Sequence, residues 1–188
     1  MDDFKWLNVP AEAAARRLLG CEIVSEVGGE RVRARIVEVE AYDQADEASH
    51  SFRGPSKRNE VMFGPAGHLY VYFTYGMHYC CNIVCGAESF GSAVLIRAIE
   101  PLEGIDTIER RRGTTGYNLT NGPAKATQAL GIDLSLNGHD LMNPPVRLIK
   151  RPTLPTSAIT ATTRIGISKA VHELRRFYIS DSPYISER

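Results

Sequence analysis

The chain has 188 residues, a formal net charge of zero and 43% hydrophobic residues. That fits one domain with a sizeable core, and no stretch approaches the ~20 apolar residues of a membrane span. The acidic, polar start MDDFKWLNVP is no secretory leader. Cys21, Cys80, Cys81 and Cys85 lack the paired spacing of a metal site. Three of them crowd one strand region, so reduced thiols in a cytosolic protein are expected rather than a disulfide framework. Residues 1–103 hold 10 Lys+Arg against 15 Asp+Glu, and residues 104–188 hold 12 against 7. A local basic face can therefore hold phosphate although the total is neutral.

Residues 10–19 read as a first helix, with Asn8 as candidate N-cap, Gly20 as terminator and Ala14, Ala15, Leu18 and Leu19 as the buried stripe. Residues 21–27 form a short strand and Gly28-Gly29 a turn. In residues 31–42 the arginines Arg31, Arg33 and Arg35 alternate with Val32, Ala34 and Ile36. The phase then changes, and Val37, Val39 and Ala41 oppose Glu38, Glu40 and Tyr42. A β-bulge near Ile36-Val37 would do this. Glu40 and Tyr42 then share a face, either at a solvated strand end or inside a site. Residues 43–65 form a long polar connection of the kind that is often functional. It contains His50 and the basic residues Arg53, Lys57 and Arg58.

The segment LYVYFTYGMHYCCN at residues 69–82 reads as a β-hairpin with Tyr75, Gly76 and Met77 at its tip. Tips are normally built from Asn, Asp, Gly and Ser. An aromatic ring beside a thioether there is either a wedge between stacked bases or a pair folded back onto the protein. With the turn centred on Gly76, Tyr70 lies across from Asn82, whose amide needs a specific hydrogen bond in a strand. Residues 92–99 form an apolar strand ended by Glu100-Pro101. It is interrupted by Arg97, which needs a carboxylate partner, with Glu40 the candidate. Residues 105–112 read as a helix ending in three arginines. Asn121-Gly122-Pro123 opens another through Leu130, and its N-terminus is free to take an anion. A strand is expected within 141–150, a mobile loop over 152–163, a short helix over 169–174 and a last strand over 175–179.

The segments ARIVEVEAY with a following SHS, HLYVYFTYGMHYCCNI, VLIRAIEPLEG, NGPAKATQALGI, RIGIS and RRFYISDSPYIS span about residues 14–186. In order and spacing they resemble the alkyladenine (3-methyladenine) DNA glycosylase family, in a compact, bacterial form without the polar N-terminal extension of some animal members. The loop from Tyr42 to His50 is one residue shorter than the family form, and His78 stands where tyrosine is expected.

The resemblance implies a monofunctional glycosylase of base excision repair. It would flip alkylated or deaminated purines, such as 3-methyladenine, 7-methylguanine, hypoxanthine and ethenoadenine, out of duplex DNA and leave an abasic site. It implies Glu40 as the base that activates water, with Arg97 holding both. Tyr42, His50 and Tyr72 would stack on the extruded base, and Asn82 would disfavour guanine at the pocket floor. Tyr75 would be the intercalating wedge, flanked by Met77 and His78. No metal or organic cofactor is implied, and the expected protein is a monomer of the bacterial cytosol or nucleoid (or of a nucleus). Pattern and resemblance together give a single α/β domain of α+β type over residues 1–188: a curved, largely antiparallel sheet flanked by helices, with a protruding hairpin. Two other readings remain at this point: a non-catalytic sensor of distorted DNA, and a nucleoside-acting or formyltransferase-like enzyme with a similar sheet.

Overall fold

The computed structural model describes residues 3–186. In chain order its elements are α1 (Ala11–Leu18), β1 (Glu22–Ser25), β2 (Val32–Asp43), β3 (Leu69–Thr74), β4 (His78–Val84), β5 (Ser92–Glu103), α2 (Ile105–Arg112), α3 (Pro123–Ala129), β6 (Val146–Ile149), β7 (Ile159–Thr162) and β8 (Arg176–Ile179), joined by loops and short 3-10 turns. Six strands pair in the order β3-β4-β5-β2-β1-β6, and β8 joins β2 to β7. Every pairing is antiparallel. This is the expected α+β architecture.

Strand β2 is the spine. β5 runs along one edge of it, while the other edge is shared: its first half pairs with β1 and its second half with β8. The division coincides with the expected bulge. Ile36 lies opposite Ile99 and Glu38 opposite Ala98, leaving Val37 as the extra residue. The core residues of β2 are Val32, Ala34, Ile36, Val39 and Ala41. Their spacing of two, two, three and two is the bulge seen from the core side. Beyond it Glu38 and Glu40 face away from the core, yet both are fully buried. The sheet therefore has a second interior face, polar along β2 and apolar where Met62, Tyr70, Val84 and Ala93 cluster.

Helix α1 packs on β2 and β5, α3 packs on β4 and β5, and α2 packs on α3. Ala11, Ala14, Ala15 and Leu18 form the buried stripe of α1. Full burial of a side chain such as Leu18 or Ile108 stabilises by about 1.5–3 kcal/mol, and both are inaccessible.

Several expectations are corrected. Pro10, not Asn8, stands at the N-cap of α1, with no side-chain cap. β5 does not stop at Pro101 but continues to Glu103. Pro101 lies where the register against β2 shifts, between Arg33 and Ala34, and an irregularity of this kind tolerates a residue without an N–H. Residues 159–162, expected within a loop, form β7. All four are half-buried, so this edge strand carries no alternating pattern. The expected helix over 169–174 is absent: Ala170 has φ +50°, and Glu173 is drawn back to Arg175 at 2.9 Å. Six residues are too few to nucleate a helix against such contacts.

The charge asymmetry is resolved inside the fold. Basic residues of the second half pair with carboxylates of the first: Arg147 with Glu26 at 3.4 Å, Arg151 with Glu22 at 2.9 Å, Arg175 with Asp43 at 3.0 Å, and Arg164 with Asp46. The run Arg110–Arg111–Arg112, a candidate phosphate contact, is occupied as well. Arg110 pairs with Glu30, Arg111 donates to the carbonyls of Val27 (2.8 Å) and Ala129 (3.0 Å), and Arg112 donates to that of Leu119 (2.9 Å).

Candidate active site

A cavity of about 500 Å³ opens on the polar face of β2. The hairpin β3–β4, the loop carrying Glu47 and His50, and the segment Ile165–Lys169 complete its walls. Glu40, Tyr42, His50, Tyr72, Tyr75, Asn82 and Arg97 all line it. Seven of the nine residues singled out from sequence thus meet at one site. Met77 and His78 do not line it. They are exposed beside Tyr75, Met77 at 69%.

Glu40 lies on the cavity floor. Its Oε1 accepts from the Ile165 backbone N–H at 2.8 Å and lies 3.3 Å from Arg97 Nη1, and its Oε2 accepts from the Tyr42 hydroxyl at 2.7 Å. Burial, and then the Glu40 carboxylate, push the Tyr42 hydroxyl far above its ordinary range, so it stays a donor. Arg164 stacks on the Tyr42 ring 4.7 Å from its centroid, and its fork grips buried Asp46. This pair ties the loop after β2 to the segment that supplies the Ile165 N–H.

The side wall is aromatic. The His50 ring stands edge-on to Tyr72 with centroids 4.6 Å apart, and its Nδ1 is 2.9 Å from the Tyr70 hydroxyl. Desolvation, and then the nearby Arg58 guanidinium, lower the His50 pKa below its ordinary 6.5, so the ring is neutral at pH 7. Burial raises the Tyr72 hydroxyl strongly, and it raises the Cys80 thiol beside it. These groups offer no further negative charge near neutral pH. Tyr70 lies opposite Asn82 in the hairpin register, as expected, and Asn82 Nδ2 donates to the Tyr70 carbonyl at 3.1 Å.

At the mouth the chain turns with φ +51° at Tyr75 and +68° at Gly76, and the Met77 N–H reaches the Thr74 carbonyl at 3.3 Å. Two positive-φ residues in succession match the twist of a tight hairpin, and glycine takes the second without strain. The tip therefore projects its side chains, and Tyr75 is 85% exposed. The alternative of a tip folded back onto the protein does not occur.

Sequence reasoning missed the partners. Arg97 was expected to pair with Glu40; it also donates through Nε to Glu38 at 3.2 Å. Glu38 further accepts from Arg176 Nε at 2.7 Å and from Ser186 Oγ at 2.7 Å. A signal was present: two carboxylates share the post-bulge face with a single arginine across the strand pair, which calls for a second cation. Arg164 and Asp46 carried no comparable signal.

The sheet thus carries a fully buried carboxylate in a cavity walled by aromatic rings, beneath a hairpin that bares a tyrosine. The model of the methylpurine-DNA glycosylase (MPG) family matches residues 5–183, and the chain belongs to that family. It is accordingly a DNA glycosylase, a hydrolase of alkylation-damage repair that acts on DNA. A relative from Carboxydothermus hydrogenoformans is 51% identical over 176 residues, covering 93% of this chain and 92% of that protein. One from Methanoculleus marisnigri is 50% identical over 180 residues, covering 93% and 92%. One from Chlorobaculum tepidum is 47% identical over 183 residues, covering 96% and 88%. Each carries the provisional name 3-methyladenine DNA glycosylase. Among the described residues no helix is long and apolar enough to cross a membrane.

Proposed function

We propose that the protein, acting as a monomer and as one glycosylase domain, flips alkylated or deaminated purines of the 3-methyladenine, 7-methylguanine, hypoxanthine and ethenoadenine class out of duplex DNA. It then hydrolyses the N-glycosidic bond with a water activated by Glu40, leaving an abasic site. The observation that carries this reading is the fully buried Glu40 carboxylate, held by Tyr42, Ile165 and Arg97 at the floor of a cavity whose mouth is flanked by Tyr75.

Extruding a nucleotide costs a few kcal/mol. Tyr75, exposed at the tip, offsets this by replacing the lost stacking. The base enters between Tyr42, His50 and Tyr72, where a cationic alkylated purine gains roughly 0.5–2 kcal/mol of cation–π attraction over a neutral one. Asn82 limits entry of the guanine exocyclic amine. Glu40 accepts a proton from water as the water attacks the sugar, and its charge opposes the positive charge that develops on the sugar as the bond breaks. Arg58 lines the cavity, and Arg53 and Lys57 are exposed in the same loop, which suits this cluster to phosphates. Lys169 is the one described lysine that lines the cavity, and it is exposed. With the buried Glu40 carboxylate rather than an amine as the reacting group, hydrolysis without strand cleavage is expected.

The test is release of free base from a duplex carrying one ethenoadenine or hypoxanthine, and from methylated genomic DNA, by wild type and by Glu40→Gln. The expected result is release by wild type alone, leaving an alkali-labile site, with lesion binding retained by the variant. Full release by Glu40→Gln would overturn the assignment. Tight lesion binding without release from any of the three DNAs by wild type would make the protein a damage sensor.

A further inference from the structure

We propose that Glu38 is a positioning residue: it holds Arg97 in a split pose and thereby leaves one oxygen of Glu40 facing the cavity. This rests on the reading of Glu40 given above.

Glu38 is fully buried and does not line the cavity. A second carboxylate two residues from Glu40, on the same dry face, is costly unless paired. It contacts no substrate, so its charge must serve another group. Arg97 is that group. Its Nε donates to Glu38 Oε1 at 3.2 Å, while Nη1 lies 3.3 Å from Glu40 Oε1. A guanidinium facing one carboxylate closes on it with two parallel hydrogen bonds. Here one edge of the fork is taken by Glu38, and a single nitrogen reaches Glu40. Glu40 Oε2 is left to the Tyr42 hydroxyl at 2.7 Å, in a residue that lines the cavity.

Glu38 is itself fixed against following Arg97. Arg176 Nε and Ser186 Oγ each approach its Oε1 at 2.7 Å, and the Ser186 N–H reaches Oε2 at 2.5 Å. The bulge at Val37 makes this possible, because it turns Glu38 and Glu40 to one side of β2, opposite β5, which carries Arg97. Without the Glu38 charge, Arg97 swings onto Glu40, engages both of its oxygens and removes the base that water needs. Misplacement of a reacting group by about 1 Å costs on the order of 10²-fold in rate.

The experiment measures single-turnover base release at saturating enzyme, together with affinity for an abasic-analogue duplex. Glu38→Gln is expected to slow release about 10²-fold with affinity unchanged. The same substitution in an Arg97→Gln background is expected to add no further loss, since coupled residues are not additive. Wild-type release by Glu38→Gln, or a fully additive loss in the double variant, would overturn the proposal. Ser186→Ala removes one donor to Glu38 but keeps its charge and its contact with Arg176, so it should slow release less than Glu38→Gln does. A rate loss equal to that of Glu38→Gln would overturn the proposal. Should Glu38→Gln not fold, Arg97→Lys keeps the charge but cannot span both carboxylates. A comparable loss supports the split pose, and wild-type release overturns it. No release by wild type from any damaged purine would overturn the reading of Glu40 itself.

Discussion

The floor of the cavity and the tip of the hairpin make opposite use of the chain. On the floor and directly behind it, Glu40, Arg97, Glu38 and Arg176 are each at most 6% exposed, and both carboxylates are engaged by several donors. At the tip Tyr75 and Met77 stand 85% and 69% exposed. Folding rewards neither arrangement. Buried ion clusters are often no more stabilising than apolar packing of the same volume, and exposed apolar rings gain nothing from burial. The floor, however, cannot be altered without cost, because each of its charges depends on the others. The tip can, because it depends on nothing within the protein. On the proposed function, the floor is preorganised for chemistry and the tip is kept free for DNA.

The sharpest way to break this comparison is to measure stability at both ends. Arg97→Ala leaves Glu38 and Glu40 short of a cation, and the expected loss on chemical unfolding is roughly 3–5 kcal/mol. Tyr75→Ser is expected to change stability by no more than about 0.5 kcal/mol, as for other surface substitutions. Equal losses would mean that the tip packs on the protein in solution. Next in size is the effect of Tyr75→Ser on release. From a paired duplex a drop of roughly 10–100-fold is expected, because lost stacking of about 1–3 kcal/mol per base is no longer replaced. From single-stranded DNA carrying the same lesion the drop should be much smaller. Equal losses on the two substrates would remove the wedge role.

What was legible in the sequence follows the same division. The tip was readable because turn chemistry is local: an aromatic and a thioether around a single glycine violate the usual composition of a turn. The bulge was readable because a shift of phase in β2 shows directly in the alternation from Ile36 to Val39. Asn82 was found by register, since a hairpin centred on Gly76 brings it to Tyr70. The floor was only half readable. Glu40 and Arg97 stood out as charges in apolar runs, but the sharing of Arg97 between two carboxylates depends on β8 returning to β2 and on Ser186 reaching Glu38. Those contacts join residues about 140 positions apart, and no local pattern encodes them. The same holds for Arg164 on Asp46. The basic surplus of the second half was visible as a count but not as pairing, and it suggested a phosphate-binding face where the fold makes internal ion pairs.

A smaller effect is expected at Asn82. Its amide sits between the floor and the aromatic wall, and replacing it with alanine or serine opens space at the point where a guanine amine would enter. Release of guanine-derived bases from alkylated DNA should rise about tenfold relative to hypoxanthine, the size of a discrimination worth roughly 1–3 kcal/mol in a pocket. An unchanged ratio would assign Asn82 to its hydrogen bond with the Tyr70 carbonyl alone.

The smallest effect, and the one that tests the wall, is in pH. His50 has its pKa lowered by desolvation and then by Arg58. Between its ordinary value of 6.5 and the lowered one, the unfolded chain binds the proton and the folded chain does not. Stability from this group is therefore present above pH 6.5, falls as the pH drops through that window, and levels off below the folded pKa. Binding follows the same sign for a cationic base: a protonated imidazole edge-on to Tyr72 repels it, whereas a neutral purine is indifferent to that charge. Measured between about pH 8 and pH 5, release of 7-methylguanine relative to hypoxanthine should fall with pH in wild type and stay level in His50→Gln. A level ratio in wild type would mean that the ring does not face the bound base. A falling ratio in both would mean that the pH dependence does not come from His50.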